Sequence, residues 1–178
     1  MNKNLSFLRD PNDGSKLLLK DNKLFSKLNS YKIVDNIPRF VSDSNYSDDF
    51  GLQWKKFHKT QLDSFTGLQI SESRLIESLG FHPRLLSGKK ILEVGSGAGR
   101  FTEVLLKYGC IVHSFDYSKA VEANAINHSS NDNLLLVQAD IRKIPFQKLG
   151  YDVVICLGVL QHTPNPEESI NSIWQMVK

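Results

Sequence analysis

Cysteine is scarce in this sequence: Cys110 and Cys156 are the only two among 178 residues, and none precedes position 110. Each lies inside an apolar, strand-like run, where a thiol serves as a small core residue; a disulfide framework is excluded, and no metal is implied. Long apolar runs are also missing. No stretch approaches the roughly 20 residues of a membrane span, and Met1-Asn2-Lys3-Asn4 is not followed by the apolar segment of a secretory signal. The expectation is a chain without a membrane span and with a cytoplasmic location. A strong charge of one sign is lacking too: 22 basic against 19 acidic residues leave a net +3, too slight to imply nucleic acid. Lys55, Lys56, His58 and Lys59 cluster beside Trp54 and Phe57, but such a cluster is more simply the solvated face of a helix. With 40% hydrophobic and 23% charged residues, the chain can bury one ordinary core.

What is present alternates strand and helix from residue 88 onward. Strands are predicted over 91–94, 110–115, 134–137 and 151–157. Between them, Phe101, Val104, Leu105 and Tyr108 mark one face of a helix that Gly109 can end, and Ser118 can cap another through about Ile126. Asn165-Pro166-Glu167-Glu168 supplies a cap, a first-turn proline and a capping glutamate for a last helix with Ile170, Ile173, Trp174 and Val177 inward. Short alternating pieces over 1–41 predict a small β module. Residues 42–49 are a polar linker, and 50–87 form a mostly helical lead-in, with Ser71 capping a helix that Gly80 terminates. The fold class is α/β, an open parallel sheet of four strands over 88–178.

The decisive run is Lys90-Ile91-Leu92-Glu93-Val94-Gly95-Ser96-Gly97-Ala98-Gly99-Arg100-Phe101, a buried strand breaking at a glycine turn into a helix. Such a turn lets backbone approach a nucleotide, with the helix N–H groups facing it. Arg100 stands where a dinucleotide fingerprint needs its third small residue, which argues against a nicotinamide-dependent dehydrogenase. Asp116 follows the second strand about 20 residues after the loop, where an acid can accept from both ribose hydroxyls. Asp140 follows the third strand, and Leu157-Gly158-Val159-Leu160-Gln161-His162 the fourth.

These residues, in this order, resemble the class I S-adenosylmethionine-dependent methyltransferases of the small-molecule type. The resemblance implies a Rossmann-like sheet and S-adenosyl-L-methionine as cofactor. It assigns the methionine end to Glu93, Gly95, Ser96, Gly97 and Gly99, the ribose to Asp116, and the adenine to Asp140, the Ile141 backbone and the Tyr117 ring. Leu157 and Gly158 would line the cofactor near the methyl-transfer centre. His162 is the one candidate general base, with a structural hydrogen bond as its alternative. Arg100 would either cover the cofactor carboxylate or be a helix-surface charge. The segment Phe50-Gly51-Leu52-Gln53-Trp54-Lys55-Lys56-Phe57 with Gln61 resembles a lid, with packing against the sheet as its alternative.

The family sheet has seven strands, so the chain is expected to be C-terminally incomplete at Lys178, with a second copy or a partner covering the edge of the fourth strand. The N-terminal module resembles a zinc ribbon that has lost its metal, since Asp10-Pro11-Asn12-Asp13 stands where the ribbon has Cys-Pro-x-Cys. The expected activity is methyl transfer to an oxygen, nitrogen or carbon of a small-molecule acceptor. The alternatives are a methyltransferase-like binding or regulatory module without turnover, and an RNA methyltransferase, which the weak net charge disfavours.

Overall fold

The computed structural model describes residues 5–42 and 57–178. The first part is a four-stranded antiparallel sheet: β1 (Leu18–Lys20), β2 (Lys23–Phe25), β3 (Ser30–Val34) and β4 (Ile37–Pro38), in that spatial order. The connections β1–β2 and β3–β4 are two-residue turns, Asp21-Asn22 and Asp35-Asn36, with φ between 48° and 62°. Asp and Asn tolerate that left-handed conformation, and two such residues in a row set the twist that lets neighbouring strands pair.

The second part is a parallel sheet in the order β7-β6-β5-β8: β5 (Lys90–Val94), β6 (Ile111–Asp116), β7 (Leu134–Gln138) and β8 (Val153–Cys156). Among the described residues, five helices accompany it: α1 (Asp63–Thr66), α2 (Ile70–Leu79), α3 (Arg100–Lys107), α4 (Ala120–His128) and α5 (Pro166–Trp174). Both faces of the sheet are covered, and the strand alternation sorts side chains between them. Ile91, Val112 and Leu136 join Leu75, Phe101, Leu105 and Val121 on one face. Leu92, Val94, Phe115 and Leu135 join Leu8, Leu24, Phe146, Tyr151 and Met176 on the other. No helix among the described residues is long and apolar enough to cross a membrane.

The two sheets are continuous at one edge. Arg39 pairs in parallel with Gln138 at the end of β7, and the Phe40 N–H donates to the Gln138 carbonyl at 2.8 Å. Leu8 bridges Phe146, and the Arg9 and Gln147 N–H groups donate to the Pro145 and Phe7 carbonyls. The module therefore closes the β7 edge. At the other edge, Val177 pairs in parallel with Tyr151, just before β8, so the chain itself reaches the start of the edge expected to need a partner.

Several local expectations need correction. Ser71 does not cap α2; it lies in the first turn, and both of its own polar groups are used elsewhere. The cap is Asp63, whose carboxylate accepts from the N–H groups of Ser71 and Glu72, each at 2.9 Å. Trp174 and Ile170, expected inward on α5, are 79% and 49% exposed, and Ile173 is the residue of α5 that packs against the core. Asn165 does cap that helix, its side chain accepting from the Glu168 N–H. Over its described residues, 57–87, the lead-in comprises α1, α2 and a short 3-10 turn, Pro83–Leu86, while residues 50–56 of the segment read as a lid lie outside the described residues.

Candidate functional site

The glycine loop leaves the end of β5 with Gly95, Gly97 and Gly99 at φ of 73°, 53° and 91°, a backbone that side chains strain. The Gly95 and Ser96 N–H groups both donate to the Phe115 carbonyl, at 2.8 and 3.1 Å, pinning the loop to the end of β6. The three glycines do different jobs. A Cβ on Gly95 would lie 2.3 Å from a Val159 methyl, and one on Gly99 would lie 2.5 Å from the Asn124 amide oxygen. Both make room for protein. A Cβ on Gly97 would meet nothing within 4 Å, so this is the glycine that faces open space.

Asp116 ends β6 and completes the loop. One carboxylate oxygen accepts the Gly97 N–H at 2.8 Å, and the other accepts the N–H and hydroxyl of Ser118 at 2.8 and 2.7 Å. Ser118 in turn accepts from the Ala120 N–H at the start of α4. Glu93, in β5, is 2% exposed. Its Oε2 accepts from the hydroxyls of Thr102 and, at 2.9 Å, Ser114, while Oε1 is buried with no hydrogen-bond partner. Burial pushes the Glu93 carboxyl up to about 7 against the pull of those two hydroxyls, so it is partly protonated at neutral pH.

Asp140 follows β7 and carries a two-point ion pair with Arg142, Nη2 to Oδ2 at 2.6 Å and Nε to Oδ1 at 3.0 Å. Burial alone would raise its carboxyl, but the Arg142 hydrogen bonds and charge outweigh this and hold it below the usual range. Ile141 beside it is buried, and the Tyr117 carbonyl accepts from the Gln138 amide at 2.9 Å. Beyond β8, Leu157 is half-buried against the core, and Gly158, at φ 74°, has no neighbour where a Cβ would stand. His162 is exposed in the short turn Leu160–His162, its N–H donating to the Val159 carbonyl. Arg100 is engaged with the lead-in: its Nε donates to the Ser71 hydroxyl at 3.2 Å, and its guanidinium lies 4.9 Å from the Phe101 ring centre.

Residues 92–178 match a family model described as a methyltransferase domain. Over those residues, just under half of its length, the chain is similar to methyltransferase domains. Two ubiquinone biosynthesis O-methyltransferases are among its relatives. The one from Coxiella burnetii is 32% identical over 95 residues and the one from Pseudomonas putida 35% over 99, each alignment covering 52% of this chain and 41% of the relative. The chain thus spans about two fifths of the length of these relatives. Among solved structures, a candidate S-adenosyl-L-methionine-dependent methyltransferase from Methanococcus maripaludis superposes with a TM-score of 0.59 at 19% identity, over 78% of this chain and 63% of that one. A Haloferax volcanii complex between a methyltransferase activator and a candidate methyltransferase superposes with a TM-score of 0.58 at 15% identity, over 75% of this chain and 57% of that one. Both likenesses are of fold.

This methyltransferase-like domain gathers the sequence-selected loop glycines, Glu93, Asp116 and the Leu157-Gly158 pair at the carboxyl ends of adjacent strands, where ligands lie in open α/β sheets. The sequence reading missed Thr102, Ser114, Asn124 and Arg142. Ser114 carried a signal, since it is the parallel partner of Glu93 and a polar residue inside an apolar strand. Thr102 and Asn124 depend on helix placement. Arg142 is reached only because the turn after Asp140 folds back on it.

Proposed function

We propose that this chain uses the methyltransferase domain to bind S-adenosylmethionine and to transfer its methyl group to a small-molecule acceptor. The observation that carries this reading is the Gly97–Asp116 junction: an open glycine whose N–H is held by a strand-end carboxylate, beside a buried glutamate with one oxygen unpartnered. An empty Cβ position, a spare buried acceptor and strand-end acids suit a cationic nucleoside ligand. Glu93 would hold the methionine ammonium, directly or through water. Asp116 would take the ribose hydroxyls, and Asp140 with the Ile141 N–H would take the adenine edge. The Tyr117 ring would flank the base, and Ser96, Leu157 and Gly158 would line the sulfonium side.

When bound, the cofactor supplies an electrophilic methyl carbon and a neutral leaving group. The protein's part is to align the acceptor and exclude water, and no fixed base is required. His162, on an exposed turn after β8, would take a proton where the acceptor needs to lose one. The O-methyltransferase relatives favour an oxygen nucleophile.

Calorimetric titration with S-adenosylmethionine and S-adenosylhomocysteine tests the reading. Binding is expected, and Asp116→Ala is expected to weaken it by about a hundredfold, on the order of two hydrogen bonds to a charged acceptor. A folded chain that binds neither ligand would end the reading; binding without turnover on any phenolic acceptor would favour a binding module.

A further inference from the structure

Arg39 is the residue by which the N-terminal module enters the polar interior of the other sheet. It follows β4 and is 9% exposed. Burying a guanidinium is costly unless its donors are matched. Nη1 donates to the Gln138 Oε1 at 3.0 Å, and Nη2 pairs with the Glu122 Oε1 at 3.1 Å in the first turn of α4. Backbone pairing of Arg39 and Phe40 with Gln138 already joins the two sheets, so attachment alone does not call for the buried charge.

The other end of Gln138 gives the charge a purpose. Its Nε2 donates to the Tyr117 carbonyl at 2.9 Å. A guanidinium can only donate and a carbonyl can only accept, so Arg39 dictates which way the Gln138 amide faces, and that orientation alone serves Tyr117. Tyr117 lies between Asp116, whose carboxylate holds Gly97, and Ser118, whose N–H and hydroxyl hold that carboxylate. The Ala139 N–H fixes the Asp116 carbonyl at 3.0 Å. The backbone carbonyls on either side of the Asp116–Tyr117 peptide unit are thus tied to the end of β7, and Arg39 orients one of the two ties.

We infer that Arg39 is a positioning residue for the nucleoside half of the ligand site, acting through Gln138 and Tyr117 on Asp116. The module would then set cofactor affinity from outside the methyltransferase domain. The inference rests on reading the end of β6 as the ribose site.

Two variants cut the chain at different links. Arg39→Met removes the orienting donor. Gln138→Glu keeps an acceptor for Arg39, and so keeps the module anchored, but turns an oxygen toward the Tyr117 carbonyl. Each is expected to weaken S-adenosylhomocysteine binding by the full chain about tenfold, the scale of one buried hydrogen bond left unmade. The same substitutions in an Asp116→Asn background are expected to weaken it little further, because both act through one carboxylate. In the absence of ligand, amide exchange at Gly97 and Ser118 is expected to quicken while the core strands stay protected. Wild-type affinity and exchange in Gln138→Glu would overturn the inference, as would losses that simply add in the Asp116→Asn background. Failure of the folded wild type to bind S-adenosylhomocysteine would instead remove the ligand reading, and this inference with it.

Discussion

Two buried carboxylates, Asp10 in the N-terminal module and Glu93 in β5, show how differently this chain uses the same group. Asp10 in the module is 1% exposed, and both of its oxygens are saturated: Oδ1 accepts from the Asn12 N–H and the Tyr31 hydroxyl, Oδ2 from the Ser26 hydroxyl and the Asn29 amide. Burial pushes its pKa up, yet the four donors together bring it down to about 2. Glu93 is equally hidden from solvent but lies deeper in the protein, has donors on one oxygen only, and rises to about 7. Depth and donor supply together set the sign. A carboxylate with every lone pair answered is a structural hub, and Asp10 gathers the module by joining residues 12, 26, 29 and 31. A carboxylate with a spare oxygen is open to a ligand.

The most damaging way to break the comparison is Asp10→Ala, which strands four donors. A loss of about 3 kcal/mol or more in urea-derived stability is expected, from several buried groups left unsatisfied. The acid limb of the wild type should report the same site: Asp10 is depressed below its unfolded value of 3.8, so its contribution is present above that pH and fades as pH falls toward about 2. Next is Glu93→Gln. The folded pKa of Glu93 exceeds the unfolded 4.5, so the native state holds the extra proton, and wild-type stability falls as pH rises from about 4.5 to about 7. The glutamine variant should flatten that slope by at most about 1.4 kcal/mol per pH unit in denaturation at a series of pH values. The smallest effect is expected from Thr102→Val, which removes one of the two donors to Glu93 and should raise its pKa further, as read from the carboxyl carbon shift. An unchanged titration in that variant would mean that donor supply does not control this group.

The four parallel strands were legible because each is a short apolar run ended by a turn or an acid, and burial on both faces leaves such runs few other places to go. The Asn165 cap was legible because its donors lie three residues away. Ser71 misled because the acid that caps α2 comes from Asp63, in the preceding helix, and no local spacing encodes that. Trp174 misled because helical periodicity marks an apolar face without saying whether another element is there to receive it. In the site, strand-end acids and glycines could be read from position along the chain. Arg39, 99 residues from its partner Gln138, could not, since only the joining of the two sheets brings them together.

The same junction also bears on which strand edges of the parallel sheet are exposed. Every residue of β7 is buried, and its outer edge is met by Arg39 and Phe40 at the Gln138 end. Without the first 42 residues, an apolar strand with unanswered N–H and C=O groups would face solvent, a template on which another molecule of the same chain could add a strand. The small hairpin sheet is therefore also a cover at the Gln138 end of β7, and removing it would open that edge to strand addition.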